Sequence, residues 1–133
     1  MSKNYLIDYN FGLQFENNIM HTLQNYFNDD SITKLNRYNT FDYKGNNKFI
    51  ELKSRNNSYN KYPTTMIGYN KIMKASKLNE DIYFIFNYTD GLYLYKYDKN
   101  NELEIKRGGR FDRGRPEISD YCYIPIEMFI KID

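Results

Sequence analysis

The chain has 133 residues, of which 41% are hydrophobic and 18% aromatic, and its formal net charge is +2. This length and apolar content predict a single domain, residues 1–133, with a hydrophobic core. The small net charge excludes a polycation that binds nucleic acid over its whole surface, so any nucleic-acid site must arise from a local cluster. The lone Cys122 excludes an internal disulfide, and there is no signal-peptide core or membrane-spanning apolar run. We therefore expect a cytoplasmic protein that is not secreted.

The first predicted helix runs from Phe11 to Phe27. At 100° per residue its apolar side chains form one arc, which contains Phe15, Tyr26, Ile19, Gly12, Leu23, Phe27 and Met20. Glu16 falls inside this arc, where a carboxylate is costly to bury unless it is paired or bound to a metal. The alternative is that Glu16 is partly exposed near the helix start, where the helix dipole favours negative charge. The only histidine, His21, falls on the opposite face, so the sequence offers few candidate residues for a zinc site or a Ser-His-Asp triad.

Residues 41–53 predict a tight β-hairpin. Gly45 and the two asparagines that follow it supply the turn chemistry, because Gly and Asn tolerate positive φ and Asn bonds to its own backbone. If the two asparagines form a two-residue loop closed by Gly45 and Lys48, the antiparallel register pairs Tyr43 with Ile50.

This register brings three charged residues together. It sets Asp42 opposite Glu51, with Cβ atoms roughly 4.5–5.5 Å apart, and two carboxylates that close repel each other unless a positive charge lies between them. Side chains two apart on a strand share a face, so Lys53 joins the two acids while Ile50 and Leu52 point into a core. Two acids beside a lysine suit a divalent cation. The alternatives are an ordinary polar face of a sheet, and a β-bulge that moves Asp42 to the other face.

The remaining pattern predicts a mixed α/β (α+β) fold with a mixed sheet. The predicted elements are a strand over Ile32–Arg37, a polar loop over Arg55–Pro63, a second helix over Met66–Leu78, strands over Asp81–Tyr88, Leu92–Tyr97, Leu103–Lys106 and Tyr121–Ile124, and a final short helix opened by Pro125. Lys71, Lys74 and Lys77 lie close together on the second helix. They are read as a solvated face, with contact to phosphates as the alternative.

A basic stretch, predicted as a loop, runs from Lys106 to Arg115. It holds five cations and one acid, and its arginines are Arg107, Arg110, Arg113 and Arg115. Glycines let a backbone approach a polyanion closely, and arginine forks match phosphates. The alternative is a solvated loop whose cations pair with Glu102, Glu104 or Glu117. We favour nucleic acid, because five cations exceed what the nearby acids need.

Together these residues resemble the PD-(D/E)XK nuclease superfamily. The resemblance spans roughly residues 10–88 and includes Glu16 on a helix, Asp42, and Glu51-Leu52-Lys53 on the following strand, in the order helix, three strands, helix, strand. Residues 11–16 also resemble the opening of small archaeal-type Holliday junction resolvases. One departure is that Asp42 follows Phe41 rather than a proline. The Arg-rich stretch lies outside the common core.

The resemblance implies a restriction-endonuclease-like core with extra C-terminal strands, and a metal-dependent DNA endonuclease. Asp42, Glu51 and the carbonyl of Leu52 would hold one or two Mg²⁺ ions, for which Mn²⁺ can substitute, and Glu16 would bind directly or through water. Lys53 would orient or activate the attacking water, or stabilise charge on the phosphate. The four arginines of the basic stretch would grip DNA, with Lys71 and Gln14 as weaker candidates at the site.

The resemblance also implies branched or recombination DNA as a substrate and a homodimer that presents two sites. It places the protein in the cytoplasm, at the nucleoid or at a viral replication site, with no small-molecule cofactor. Two alternatives stay open: a nucleic-acid-binding module with this fold and no catalysis, and a phage or viral protein-interaction domain.

Overall fold

The computed structural model describes residues 17–110 and 117–133 of the chain. The strands are β1 (Thr33–Lys34), β2 (Tyr43–Gly45), β3 (Lys48–Ser54), β4 (Thr64–Gly68), β5 (Asp81–Tyr88), β6 (Gly91–Lys96), β7 (Glu104–Arg110), β8 (Glu117–Pro125) and β9 (Ile130–Lys131). The helices are α1, which covers residues 17–27 of the described chain, α2 (Tyr69–Ser76) and a 3₁₀ turn (Ile126–Met128). The first predicted helix is therefore confirmed over residues 17–27, and residues 11–16 lie outside the described part.

The strands form two sheets. In the described part of the chain, the central sheet has six strands in the order β1-β2-β3-β5-β6-β9, and the second has three in the order β4-β8-β7. In the central sheet β3 pairs with β5 in parallel, whereas the other neighbours are antiparallel. A parallel pair needs a crossover connection, and here β4 and α2 supply it. The predicted mixed α/β class is confirmed.

Both faces of the central sheet are covered by hydrophobic side chains. On the α1 face, the buried residues are Ile19, Leu23, Ile32, Tyr43, Ile50, Ile85, Leu92 and Leu94. On the other face, α2 and the second sheet cover a cluster rich in aromatic rings, which contains Phe41, Ile67, Ile72, Ala75, Ile82, Phe84, Phe86, Tyr88, Tyr93, Tyr95, Cys122, Ile124 and Phe129. Strand alternation places Phe49, Glu51 and Lys53 of β3 on this aromatic face. No helix among residues 17–110 and 117–133 is long and apolar enough to cross a bilayer.

The hairpin between β2 and β3 has the predicted register. Tyr43 pairs with Ile50 and Gly45 with Lys48, so the two asparagines form the loop, and the second of them, Asn47, has φ of 53°. The role predicted for Gly45 was wrong, because Gly45 is not among the residues with positive φ. A glycine is needed at position 45 because there is no room for a side chain: a Cβ would lie 2.6 Å from Asp29 Oδ2.

Asp29, at the end of α1, anchors this hairpin. It is buried, and its Oδ2 accepts hydrogen bonds from the Asn46 N–H at 2.9 Å and from Lys48 Nζ at 2.7 Å. The ammonium of Lys48, together with the Ser31 hydroxyl and the Asn46 N–H, holds the pKa of the Asp29 carboxyl well below its usual range.

Replacing Gly45 by Ala should therefore destabilise the fold. The added Cβ must displace the Asp29 carboxylate or the Ile32 side chain, whose Cγ1 would be 2.7 Å away. Overpacking of this kind costs about 1–3 kcal/mol of unfolding free energy, which urea denaturation would measure. Asn46→Ala is a matched control in the same turn, because its side chain is exposed. Equal stability of the Gly45→Ala variant and the parent would contradict this account.

Several element boundaries differ from the predictions, and the strand predicted over Tyr121–Ile124 begins earlier, at Glu117. The helix predicted over Met66–Leu78 begins only at Tyr69, because Thr64–Gly68 forms β4. In β4 the side chains of Thr65 and Ile67 are buried and their neighbours are half-buried, which is the alternation of a strand. The strand predicted over Ile32–Arg37 is confined to Thr33–Lys34.

The basic stretch is also partly a strand. Its first five residues belong to β7, which pairs with β8, so the loop prediction was wrong for Lys106–Arg110. A Cβ on Gly108 would lie 3.1 Å from Cδ2 of Tyr121, so the absence of a side chain lets the cross-strand tyrosine lie close to the backbone. Pro125 precedes the 3₁₀ turn, as predicted for a short closing helix.

Candidate active site

Asp42 lies where the pairing between β2 and β3 ends. The ladder stops at Tyr43, so Asp42 is not the ladder partner of Glu51 that the sequence predicted. Its N–H donates to the Ile50 carbonyl at 3.0 Å, and its Oδ2 accepts a hydrogen bond from the Leu52 N–H at 2.7 Å. The carboxylate therefore takes the place of a main-chain partner and is held against β3.

The carbonyl of Leu52 points to the same edge of β3 as the Asp42 carboxylate. In a strand the N–H and C=O of one residue point to the same edge, so this carbonyl points toward Asp42, past the end of β2. The side chain of Leu52 packs against the α1 cluster, as predicted. The predicted backbone ligand and the Asp42 carboxylate thus lie at one edge of β3.

Glu51 is the most deeply buried acid of the site, with 2% of its surface exposed. Its Oε2 is 2.9 Å from Nζ of Lys71, which α2 brings over β3. This contact is an ion pair without hydrogen-bond alignment, and Oε2 accepts no hydrogen bond within the described residues. The Lys71 ammonium donates instead to the carbonyl of Thr40. A buried carboxylate oxygen with unmet acceptor capacity is rare in folded proteins and points to a missing partner.

The electrostatics of Glu51 agree with its burial. Desolvation and the nearby Asp42 carboxylate raise the pKa of Glu51 to about 7, against the opposing effect of the Lys71 and Lys53 ammonium groups. A buried acid with a raised pKa beside a second acid is typical of a functional site. Lys53 is half-buried and lies two residues along β3 from Glu51, on the same face.

These residues fit a divalent cation. Two neighbouring carboxylates, one with an unbonded buried oxygen, and a backbone carbonyl are the hard oxygen ligands that Mg²⁺ and Mn²⁺ prefer. Within the described ranges, no group of three or more acidic, histidine or cysteine side chains could hold a metal ion. Further ligands would therefore be the carbonyl of Leu52, water, or Glu16, which lies outside the described residues.

The predicted DNA-gripping residues are only partly described. Arg107 lies on β7 with its side chain 72% exposed and its Nε 3.4 Å from Oδ1 of Asp120 on β8. Surface pairs of this kind contribute little stability, so Arg107 could exchange Asp120 for a phosphate at low cost. The side chain of Arg110, and the whole of Arg113 and Arg115, lie outside the described residues. Gln14 lies outside them as well.

Lys71, predicted as a weaker candidate at the site, lies beside Glu51, and its contact with DNA stays a prediction. Its ammonium lies at Glu51 and Thr40, with its side chain 22% exposed. The sequence gave no sign of this contact, because Lys71 and Glu51 meet only through the parallel crossover from β3 to β5. Its spacing with Lys74 and Lys77 indicated a solvated face instead. Thr40 was missed entirely, since a backbone carbonyl leaves no signal in a sequence.

The model of one protein family, described as phage putative PDDEXK endonuclease, matches residues 12–132 of the chain. No curated protein and no solved structure matches it. The six-stranded mixed sheet with few helices is consistent with a restriction-endonuclease-like fold. The matched range includes both acids of the site, Lys53 and Lys71.

Proposed function

This chain belongs to the family of phage putative PDDEXK endonucleases, and from that membership we propose that it is a metal-dependent endonuclease that hydrolyses phosphodiester bonds of DNA. The observation that carries the proposal is the buried Glu51 carboxylate, whose Oε2 accepts no hydrogen bond from the described residues. Lys71 is the only cation in contact with this oxygen among the described residues, and it does not donate an aligned hydrogen bond to it. A buried acid with unmet acceptor capacity is costly for the fold, so the site favours a cation that is bound for function.

Each residue of the site has a distinct task in this proposal. Asp42, Glu51 and the Leu52 carbonyl would hold the cation, with Glu16 as an accessory ligand. Mg²⁺ or Mn²⁺ bound there would supply charge shielding of the phosphate and hydroxide at neutral pH. Lys53 adds a fixed positive charge where negative charge develops on the phosphate, and it orients the water that attacks phosphorus as one ester bond breaks.

A surface groove supports access of a nucleic-acid backbone to this site. It has a volume of about 700 Å³. It is lined by Thr40, Tyr69, Asn70, Met73, Lys74, Lys77, Ser119 and Asp120. Thr40 links the groove to the site, because its carbonyl accepts a hydrogen bond from the Lys71 ammonium that contacts Glu51. Lys74 and Lys77 are exposed along it and would neutralise phosphates, together with Arg107 and the other arginines of the basic stretch.

The test is cleavage of supercoiled plasmid, linear duplex, single strand and four-way junction DNA in Mg²⁺, Mn²⁺ or EDTA. We expect cleavage that requires the metal and falls about a hundredfold or more in Asp42→Asn and Lys53→Ala. Lys44→Ala is the matched control, because Lys44 is an exposed lysine on the same hairpin. Cleavage that persists in EDTA or in Asp42→Asn would overturn the proposal, and the best-cut DNA would show whether branched substrates are preferred.

A further inference from the structure

A second concave site lies beyond the end of β3. It is a cavity of about 350 Å³, within the size range of small-ligand pockets. Four tyrosines line it, together with an arginine, an asparagine, two threonines, a proline and a methionine. The lining that the argument uses is Arg55, Asn57, Tyr59, Tyr62, Thr64 and Tyr88.

The cavity lies beyond the end of β3, on the face of the strand that carries Glu51 and Lys53. The Arg55 N–H donates to the Asn87 carbonyl at 2.9 Å, which extends the pairing of β3 with β5 by one residue. The Arg55 guanidinium lies 5.1 Å from the centre of the Phe86 ring, on the aromatic face of the sheet. At about 3.3 Å per residue, Arg55 is about 13 Å along the strand from Glu51, with Lys53 between them. That distance is the rise of about four stacked nucleotides in one DNA strand.

Its walls combine aromatic rings with positive charge. The Tyr59 ring stacks on Tyr93 at 4.0 Å between centroids, and the Tyr59 hydroxyl donates to the Ile126 carbonyl, so this wall is fixed. Tyr62 is the accessible ring, with 53% of its surface exposed, and Nζ of Lys61 lies 5.4 Å from its centroid. The Arg55 guanidinium donates to the Met66 carbonyl at 3.0 Å, which holds its charge at the cavity.

We propose that this cavity binds one unpaired nucleobase of the DNA strand that reaches the catalytic face. A nucleobase has two apolar faces and a polar edge, which match the tyrosine walls and the amide and hydroxyl groups of Asn57 and Thr64. Arg55 and Lys61 would attract the phosphates on either side of it. A base stacked inside a duplex cannot enter a cavity, so the site selects DNA with frayed, flapped or single-stranded segments. This inference rests on the proposed function and narrows its substrate.

The test separates binding from cleavage. In EDTA, where metal-dependent cutting is absent, binding of short labelled single-stranded and duplex DNA to the parent is compared with Tyr62→Ala and Tyr62→Phe. Because a base stacked on a tyrosine ring adds to single-strand affinity, Tyr62→Ala should weaken single-strand binding roughly tenfold and leave duplex binding nearly unchanged. Tyr62→Phe keeps the ring and should bind as the parent does. A 2-aminopurine probe in the single strand should be quenched by the parent and not by Tyr62→Ala.

Two further variants guard against indirect effects. Tyr26→Ala removes another exposed tyrosine, on α1 at the opposite face of the sheet, and should change nothing. Thr64→Phe narrows the cavity from β4 and should reproduce the loss seen in Tyr62→Ala.

The base site would be overturned if Tyr62→Ala weakened single-strand and duplex binding equally, or if it bound DNA as Tyr26→Ala does. It would also be overturned if the parent bound no DNA. If Tyr62→Ala weakened the binding of single-stranded RNA more than the binding of single-stranded DNA, the assignment of the bound base to DNA would be overturned. A parent that binds and quenches the probe but cuts no DNA would reject the nuclease function and leave the base site standing.

Discussion

Replacing Glu51 by Gln should abolish cleavage and, without metal, stabilise the protein above neutral pH. The loss of cleavage should be about a hundredfold or more, because an amide is a poor ligand for a hard cation. The gain in stability follows from the pKa of Glu51, which is about 7 in the folded protein against an ordinary value of 4.5.

The direction of this pH effect is fixed by proton linkage. Between the two pKa values the folded state binds the Glu51 proton and the unfolded state does not, so stability falls as pH rises through about 7. The full difference corresponds to about 3 kcal/mol of unfolding free energy. The parent should therefore lose up to this amount between pH 5 and pH 8, and Glu51→Gln should not.

Urea denaturation in EDTA at both pH values would measure the effect of the Glu51→Gln change. Mg²⁺ should restore part of the stability of the parent at pH 8, because it binds the folded state, and should leave Glu51→Gln unchanged. A variant that is less stable than the parent at pH 8 without metal would contradict this assignment of Glu51.

Replacing Lys71 by Met should have the opposite effect on stability and should tighten metal binding. Lys71 is the cation that contacts the buried Glu51 oxygen, at 2.9 Å. Without the ammonium the pKa of Glu51 rises further and the carboxyl takes up a proton, so the loss of unfolding free energy should be about 1–2 kcal/mol at pH 8 and smaller at pH 5, where Glu51 is already protonated. Because the ammonium no longer competes for that oxygen, we expect Mn²⁺ to bind roughly tenfold more tightly, as measured by calorimetry without DNA.

The control for Lys71→Met is Lys74→Met, which removes an exposed lysine one turn along α2. The double variant Glu51→Gln/Lys71→Met should recover most of the lost stability, since no unpaired charge is left buried. If Lys71→Met left the Mn²⁺ affinity unchanged, the Lys71 ammonium would not occupy the position of a bound metal ion.

Local patterns predicted the parts of the fold that local chemistry decides. The register of the hairpin follows from two asparagines between strand-like runs, and β5 has the predicted bounds, Asp81–Tyr88, because its dense apolar run favours a buried strand. The proximity of Asp42 and Glu51 follows from that register, although the ladder itself ends one residue earlier than expected.

Features that depend on distant partners were not predictable in the same way. β4 was read as the start of a helix because Met66 and Tyr69 have helical spacing, and its pairing with β8 decides otherwise. The basic stretch was predicted as a loop, and the Tyr121 ring close to Gly108 explains why a glycine is tolerated in β7. The contact of Lys71 with Glu51 requires the crossover that brings α2 over β3, which no local pattern encodes.

The order of strands in the central sheet also bears on self-association. Among residues 17–110 and 117–133, its outermost strands are β1 and β9, which have only two residues each, and each carries an exposed lysine, Lys34 and Lys131. Short edges with lysines are poor templates for strand addition, so they protect against aggregation between sheets of neighbouring molecules. A functional dimer of this chain is therefore not expected to form by extending the described central sheet from one copy into the next.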